Sequence, residues 1–91
     1  MLFFVRYRLK EERLKELAEA VRSGEFTYKA KYVYASLNDP LVGLTIWDVP
    51  TEDMFDVIKT QLEQYADISE IMPVISAEEA QQRIFKELSQ I

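Results

Sequence analysis

The sequence predicts an α+β domain whose elements follow the order strand, helix, strand, strand, helix, strand, helix. Four segments alternate apolar and polar residues with a period of two, and three carry apolar residues at helical spacing. The two segments with the most apolar faces are the first and third strands, Leu2–Leu9 and 42–49. Two right-handed crossovers that each skip a strand place those two strands inside a four-stranded antiparallel sheet.

The third strand, 42–49, is the centre of this prediction. Its alternate residues form two mainly apolar faces, Val42, Leu44 and Ile46 on one and Thr45, Trp47 and Val49 on the other. We therefore expect it to be covered on both sides. Asp48 is the acidic exception near its end, and Pro50 then stops the strand.

The other two strands are predicted at 28–37 and 66–75. Lys29 and Lys31, near the start of the second strand, are typical of an edge protected against unwanted pairing. Pro73 lies inside the fourth strand and cannot donate a hydrogen bond to a neighbour, so this strand is expected at an edge or at a bend.

Each predicted helix has an apolar stripe and a terminal signal. Gly24 should end the helix at 11–22 in a left-handed cap, Thr51 should cap the second helix, and Ser76 with Glu79 forms a capping box for the third. The residues expected to face inward are Leu14, Leu17, Ala18 and Val21, then Met54, Phe55, Ile58, Leu62 and Tyr65, and finally Ala80, Ile84, Phe85 and Leu88.

Composition limits the possible functions. Ninety-one residues form one domain, 1–91, and a chain this short has a thin core. A net charge of −5 argues against nucleic acid as a partner. Without cysteine or histidine, disulfides and the common transition-metal sites are excluded, and we expect neither a metal nor another cofactor. No apolar run approaches a membrane span and no signal peptide is recognised, so we expect a cytoplasmic protein without membrane contact.

Two helices cover only one face of such a sheet. The other face would carry an apolar row, either Phe3, Val5 and Tyr7 or Leu2, Phe4 and Trp47. A second copy of the chain is the simplest cover for the remaining face, so a homodimer is predicted, with a monomer whose last helix folds over the sheet as the alternative.

These elements form a ferredoxin-like βαββαβ unit with an added helix, and short motifs narrow the resemblance. Residues 43–48 are a glycine-led strand ending in an acid, 65–68 read Tyr-Ala-Asp-Ile, and 70–75 run into Pro-Val-Ile. Together with 50–52 and 78–80, they resemble a group of short stand-alone proteins of unknown function in the dimeric α/β-barrel superfamily. That superfamily also includes muconolactone isomerase, antibiotic-biosynthesis monooxygenases and stress-responsive barrel proteins.

The resemblance implies a homodimer that binds a small molecule, and in some members cofactor-free catalysis. It covers the C-terminal half closely and the N-terminal half only in pattern. The second strand has tyrosines where tryptophan or histidine is expected. The haem-degrading branch relies on histidine, which this chain lacks.

Polar and aromatic residues on apolar strands are the candidate site. Asp48 is the candidate catalytic base if a buried position raises its pKa; otherwise it caps the following loop or pairs with an arginine. The candidate ligand-binding residues are Arg6, Tyr7, Tyr32, Tyr34, Trp47 and Glu70. Arg6 and Arg8 could hold an anion, although pairing with acidic residues is favoured, and rows of aromatics are usually core.

Three functions are compatible with these residues. The first is a homodimer that binds a small apolar or aromatic metabolite, either in a cleft between sheet and helices or at the dimer interface. The second is a cofactor-free monooxygenase or isomerase acting on an aromatic or enolisable substrate. The third is a purely structural or regulatory assembly domain. The sequence favours the binding dimer and leaves open whether the protein is an enzyme.

Overall fold

The computed structural model describes residues 1–26 and 28–89. Within them the predicted element order is confirmed, and a short 3₁₀ turn, Glu11–Arg13, precedes the first helix. None of the described helices is long and apolar enough to cross a membrane. The elements are β1 (Leu2–Leu9), α1 (Leu14–Ser23), β2 (Tyr32–Ala35), β3 (Val42–Asp48), α2 (Glu52–Glu63), β4 (Ala66–Val74) and α3 (Ala77–Ser89).

The four strands form one antiparallel sheet in the order β2-β3-β1-β4. The two most apolar strands, β1 and β3, are central, and β4 with Pro73 is at an edge, as predicted. In the central pair Val5 lies opposite Thr45, and Tyr7 lies opposite Gly43. Each strand-helix-strand unit skips one strand, which is compatible with the ferredoxin-like arrangement.

Helix α2 packs against the core residues of β1 and β3 on one face of the sheet, which we call the helix face. The rings of Phe3 and Phe55 are stacked with centroids 4.3 Å apart, and Ile58 is 1% exposed. The predicted inward stripe of α2 is therefore confirmed. The buried cluster consists of Phe3, Val5, Trp47, Val49, Phe55 and Ile58.

The inward stripes predicted for the other two helices are wrong. On α1 only Leu17 is half-buried among the four predicted residues, while Val21 is 62% exposed and Ala20 is buried instead. The reason is that α1 packs only loosely on the sheet. On α3 the residues Ile84, Phe85 and Leu88 are all exposed, because α3 does not fold back over the sheet.

Two strand predictions also need correction. Strand β2 begins at Tyr32 rather than at residue 28, because Tyr28 and Ala30 pack against the edge of the core. Strand β3 is covered on its helix face only: within one chain Leu44 and Ile46, on the other face, are half-exposed. That other face, opposite the helices, is called the open face below.

The helix ends follow the sequence signals. Thr51 Oγ1 accepts a hydrogen bond from the Met54 N–H at 3.3 Å, and Gly24 adopts a left-handed conformation with φ of 77°. Ser76 Oγ accepts from the Glu79 N–H at 3.1 Å, which is half of the predicted capping box. The Glu79 carboxylate instead accepts from Arg83 at 3.1 Å.

Candidate ligand-binding cleft

A cleft of about 540 Å³ lies on the helix face, between α1, the central strands and the C-terminal end of α2. It exists because α1 packs loosely on the sheet while α2 packs closely. Most of its lining is apolar or aromatic. The lining residues are Tyr7, Leu9, Leu17, Val21, Gly24, Phe26, Tyr28, Lys29, Ala30, Val33, Thr45, Trp47, Leu62, Tyr65 and Ala66.

The floor of the cleft is held by a buried hydrogen-bond chain on β1 and β3. The Trp47 indole N–H donates to Thr45 Oγ1 at 2.8 Å, and the Thr45 hydroxyl donates to the Val5 carbonyl at 2.9 Å. Thr45 is 1% exposed, so this hydroxyl and the indole are satisfied without water. These two hydrogen bonds hold the Trp47 ring in a fixed orientation beside the cleft.

Tyr7 and Gly43 form a second fixed feature of the floor. They are directly opposite in the sheet, and the Tyr7 ring lies over the glycine. A Cβ atom on residue 43 would lie 2.7 Å from the Tyr7 hydroxyl oxygen and closer still to the ring carbons. Glycine at this position is therefore what allows the tyrosine ring to lie flat along the cleft.

Burial raises the pKa of the Tyr7 phenol above its ordinary value of 10.0. The hydroxyl forms no hydrogen bond to any described residue. At neutral pH it is a protonated phenol with a free donor, so it can donate to an oxygen or nitrogen of a ligand.

Phe26 and residues 28–30, which lie between α1 and β2, line the outer side of the cleft. The rings of Phe26 and Tyr65 meet edge to face with centroids 5.7 Å apart, and the Arg13 guanidinium lies 5.0 Å from the Tyr65 ring centroid on that side. Lys31 N–H donates to the Ile46 carbonyl at 2.7 Å and ties the end of the segment to the sheet. Lys29 lies between these two anchored ends.

The structure divides the residues predicted for the site between the two faces of the sheet. Tyr7 and Trp47 both line the cleft. The other four candidate ligand-binding residues, Arg6, Tyr32, Tyr34 and Glu70, lie on the open face, because their strand positions alternate with those of the cleft residues.

Asp48 lies outside the cleft, at the exposed end of β3. Its carboxylate is 3.4 Å from the amino nitrogen of Met1, and its side chain is half-exposed. A catalytic role for Asp48 stays a prediction, and the structure places the residue away from the apolar lining described above.

The two arginines of β1 differ in their partners. Arg8 Nε donates to Asp39 at 2.9 Å and its guanidinium also reaches Glu11, so pairing with acids is observed for Arg8. The hydrogen bond from Arg8, with another from the Leu41 N–H, lowers the pKa of Asp39 below its ordinary value. Arg6 forms no ion pair with a described residue.

Several cleft residues were not predicted for the site. Leu17 and Val21 were expected in the core, Tyr28 and Lys29 were expected in the second strand, and no role was predicted for Phe26. One sequence signal could have identified these cleft residues. Two aromatic residues, Phe26 and Tyr28, follow the cap at Gly24, where a solvated loop would be expected to be polar.

The open face and α3 carry a second group of unpartnered apolar residues. Leu2, Phe4, Leu44 and Ile46 are half-exposed in the centre of the open face, and Tyr32, Tyr34 and Met72 are exposed around them. At one end, α3 approaches the strand ends through Glu79 and Arg83. Its apolar residues are solvent-exposed, with Phe85 at 65%.

These features define the class: a small α+β protein with one open sheet face and an apolar cleft under its first helix. The sequence matches no model of a known protein family, and no curated protein is significantly similar to it. Within the described residues, no three carboxylates come together as a possible metal site.

Proposed function

We propose that this protein binds a small planar apolar or aromatic molecule in the cleft between α1 and the sheet. The observation that carries the proposal is the space itself, an open cleft of about 540 Å³ lined mainly by aromatic and aliphatic side chains. Small-molecule sites typically have volumes of roughly 300–1,000 Å³, an apolar lining and a few placed polar groups. The Tyr7 hydroxyl, held over Gly43, is such a polar group.

A planar ligand is favoured by the shape of the floor. Trp47 and Tyr7 are held in fixed orientations by the Thr45 hydrogen bond and by the contact with Gly43. Two fixed aromatic rings offer faces and edges for stacking a flat ring system. Loose packing of α1 would let the helix settle on the bound molecule.

The test uses the only tryptophan in the sequence as a reporter. Trp47 gives one indole N–H resonance in a ¹H–¹⁵N NMR spectrum, and titration with methyl 2-naphthoate, a neutral planar probe, should shift it saturably. Val21→Phe should fill the cleft and weaken binding at least several-fold. Val57→Phe, on a similarly exposed valine of α2 outside the cleft, is the matched control and should change nothing. No saturable shift with any planar probe would refute the proposal.

We also propose that the chain is a ferredoxin-like subunit of a homodimer, of the dimeric α/β-barrel type, whose open faces cover each other. The surface area supports this. A compact chain of 10.7 kDa exposes about 5,500 Å² by the size relation for monomers, whereas this chain exposes 6851 Å². The excess is more than the roughly 800 Å² that each partner buries in a standard interface.

The extended shape of the chain also supports a homodimer. The Cα radius of gyration is 16.0 Å, against about 12 Å for a compact chain of this length. Helix α3 accounts for this because it does not pack over the sheet. Its exposed Ile84, Phe85 and Leu88 would be buried against a second copy.

Charge on the open face favours a second copy over an unrelated partner. Arg6 on β1 and Glu70 on β4 are direct neighbours in the sheet, and neither is ion-paired with a described residue. Two copies related by a two-fold axis would bring Arg6 of each near Glu70 of the other, so the surface is self-complementary.

Sedimentation equilibrium tests the dimer. We expect about twice 10.7 kDa at micromolar concentration. Ile46→Glu on the open face and Phe85→Glu on α3 should each give a monomer, and Val57→Glu on the outer face of α2 should leave the dimer intact. A wild-type chain that sediments at 10.7 kDa would overturn this proposal and leave the cleft proposal standing.

The cofactor-free enzyme stays the alternative. An activity located in the cleft would have Tyr7 as a proton donor near the ligand, while Asp48 lies outside it. Asp48→Asn should therefore leave binding of the naphthoate ester unchanged. A loss of binding in that variant would bring Asp48 back as a site residue.

A further inference from the structure

The charges around the cleft are unbalanced in a way that composition does not explain. The whole chain has 16 acidic and 11 basic residues, yet none of the described residues that line the cleft is acidic. Among the described lining residues the only charged side chain is Lys29. In a strongly acidic protein, this gives the cleft a local positive charge beside an uncharged apolar floor.

Lys29 has no role within the fold that would account for it. Its ammonium forms no ion pair or hydrogen bond with a described residue. Two other lysines do have partners: Lys10 donates a hydrogen bond to the Glu63 carbonyl at 3.3 Å, and the Lys31 ammonium lies 5.7 Å from the centroid of the Tyr32 ring. Lys29 is therefore available to a ligand.

A second free donor lies in the same cleft. The Tyr7 hydroxyl is without a partner among the described residues, whereas the Thr45 hydroxyl is already used between Val5 and Trp47. The Lys29 ammonium and the Tyr7 phenol can both donate hydrogen bonds, and the phenols of Tyr28 and Tyr65, which also line the cleft, form no hydrogen bond with a described residue. A ligand that satisfies them carries oxygen acceptors, and the ammonium favours a negative charge on those oxygens.

From this we infer that the cleft prefers planar aromatic carboxylates, with the ring against Trp47 and Tyr7 and the carboxylate directed to Lys29. This rests on the proposed function, since it requires that the cleft bind a planar molecule. An aromatic cation is disfavoured because it would meet Lys29 with no acidic residue in the lining. A purely apolar ligand would bind, but it would leave the ammonium and the phenol to water.

The experiment compares 2-naphthoate with methyl 2-naphthoate by isothermal titration calorimetry at low ionic strength. The two share the ring system and differ in charge. Because Lys29 is exposed, its contribution is that of a solvated ion pair, so we expect the acid to bind about three- to five-fold more tightly than the ester. The preference should shrink as salt is added, because exposed charges are screened.

Lys29→Gln should remove the preference for the acid and leave ester binding unchanged. Lys31→Gln is the matched control: it removes the same charge two residues away, from a lysine that does not line the cleft, and the preference should persist. Equal binding of acid and ester by the wild type, or an equal loss of preference in the two variants, would overturn the inference while the cleft remains a binding site. Failure of both probes to bind would instead overturn the proposed function.

Discussion

The two helices on the helix face of the sheet make very different contacts with it. Under α2 the rings of Phe3 and Phe55 stack and Ile58 is buried, so large side chains fill the layer between this helix and the sheet. Under α1 the equivalent layer is missing, because Leu17 is only half-buried and Val21 is largely exposed. The helix face of the sheet therefore has a packed core under α2 and a cleft under α1.

The difference lies in the side chains that each helix offers. Helix α2 presents Phe55 and Ile58 on one face, and these are large enough to reach the sheet. The buried residue of α1 is Ala20, which is too small to fill the layer between helix and sheet. The stabilising core and the ligand-binding cleft thus lie on different halves of the helix face, under α2 and α1 respectively. Four predictions test this difference between the two halves.

The largest effect should come from truncation under α2. Ile58→Ala removes a fully buried side chain and leaves a cavity, so the free energy of unfolding should fall by about 2–5 kcal/mol in urea denaturation. Val21→Ala, on α1, should cost less than about 0.5 kcal/mol, because the side chain is mostly in water. Similar costs for the two variants would mean that α1 packs as closely as α2.

Thr45→Val tests the rigid floor of the cleft. It keeps the shape of the side chain but leaves the buried Trp47 N–H without an acceptor, which should cost about 1–3 kcal/mol. The Trp47 indole resonance should also broaden or shift. Thr60→Val is the control, since the Thr60 hydroxyl bonds the Asp56 carbonyl on the exposed side of α2 and its loss should be nearly neutral.

Gly43→Ala tests the contact between the glycine and Tyr7. The added methyl group overlaps the ring, so Tyr7 must move towards the cleft. We expect a loss of about 1 kcal/mol, at the low end for overpacking because open space is available, together with weaker ligand binding. In a Tyr7→Ala background, Gly43→Ala should lower the stability very little. The same loss of about 1 kcal/mol in both backgrounds would mean that the added methyl group is strained against a group other than the Tyr7 ring.

The smallest expected effect is on the loss of stability at alkaline pH, to which the titration of the Tyr7 phenol contributes. Because the pKa of Tyr7 is raised in the folded protein, the unfolded chain loses this proton first as the pH rises past 10.0. The stabilising contribution of the neutral phenol is complete below that pH and is lost as the pH rises through the folded pKa. Tyr7→Phe should show a shallower alkaline loss of stability in urea denaturation. An unchanged slope would mean that Tyr7 is solvated like an ordinary surface tyrosine.

Much of the fold could be predicted because its signals are local. The alternation in 42–49, the cap at Thr51 and the glycine at position 24 each act within a few residues, and each was confirmed. The central positions of β1 and β3 followed from their apolar content combined with the rule that crossovers skip a strand. The stripe of α3 shows the limit, since an apolar face reveals that a helix needs a partner but does not identify the partner.

The candidate site could be predicted only in part for a similar reason. Tyr7 and Trp47 were identified as possible ligand contacts from their place on central strands, and both line the cleft. Arg6, Tyr32 and Glu70 were grouped with them, although strand alternation and register put these residues on the opposite face. Lys29 was interpreted as edge protection, because nothing local indicates that its segment bends to close a cleft.

The sequence by itself determined the helices and strands, their order and the apolar character of both sheet faces, because side-chain alternation and helix caps act over a few residues. Only the tertiary structure decided that α1 stands off from the sheet, that Tyr7 lies over Gly43, and that α3 leaves its apolar stripe exposed. These features depend on how side chains far apart in the chain fill, or fail to fill, the space between packed layers. The cleft is such a space.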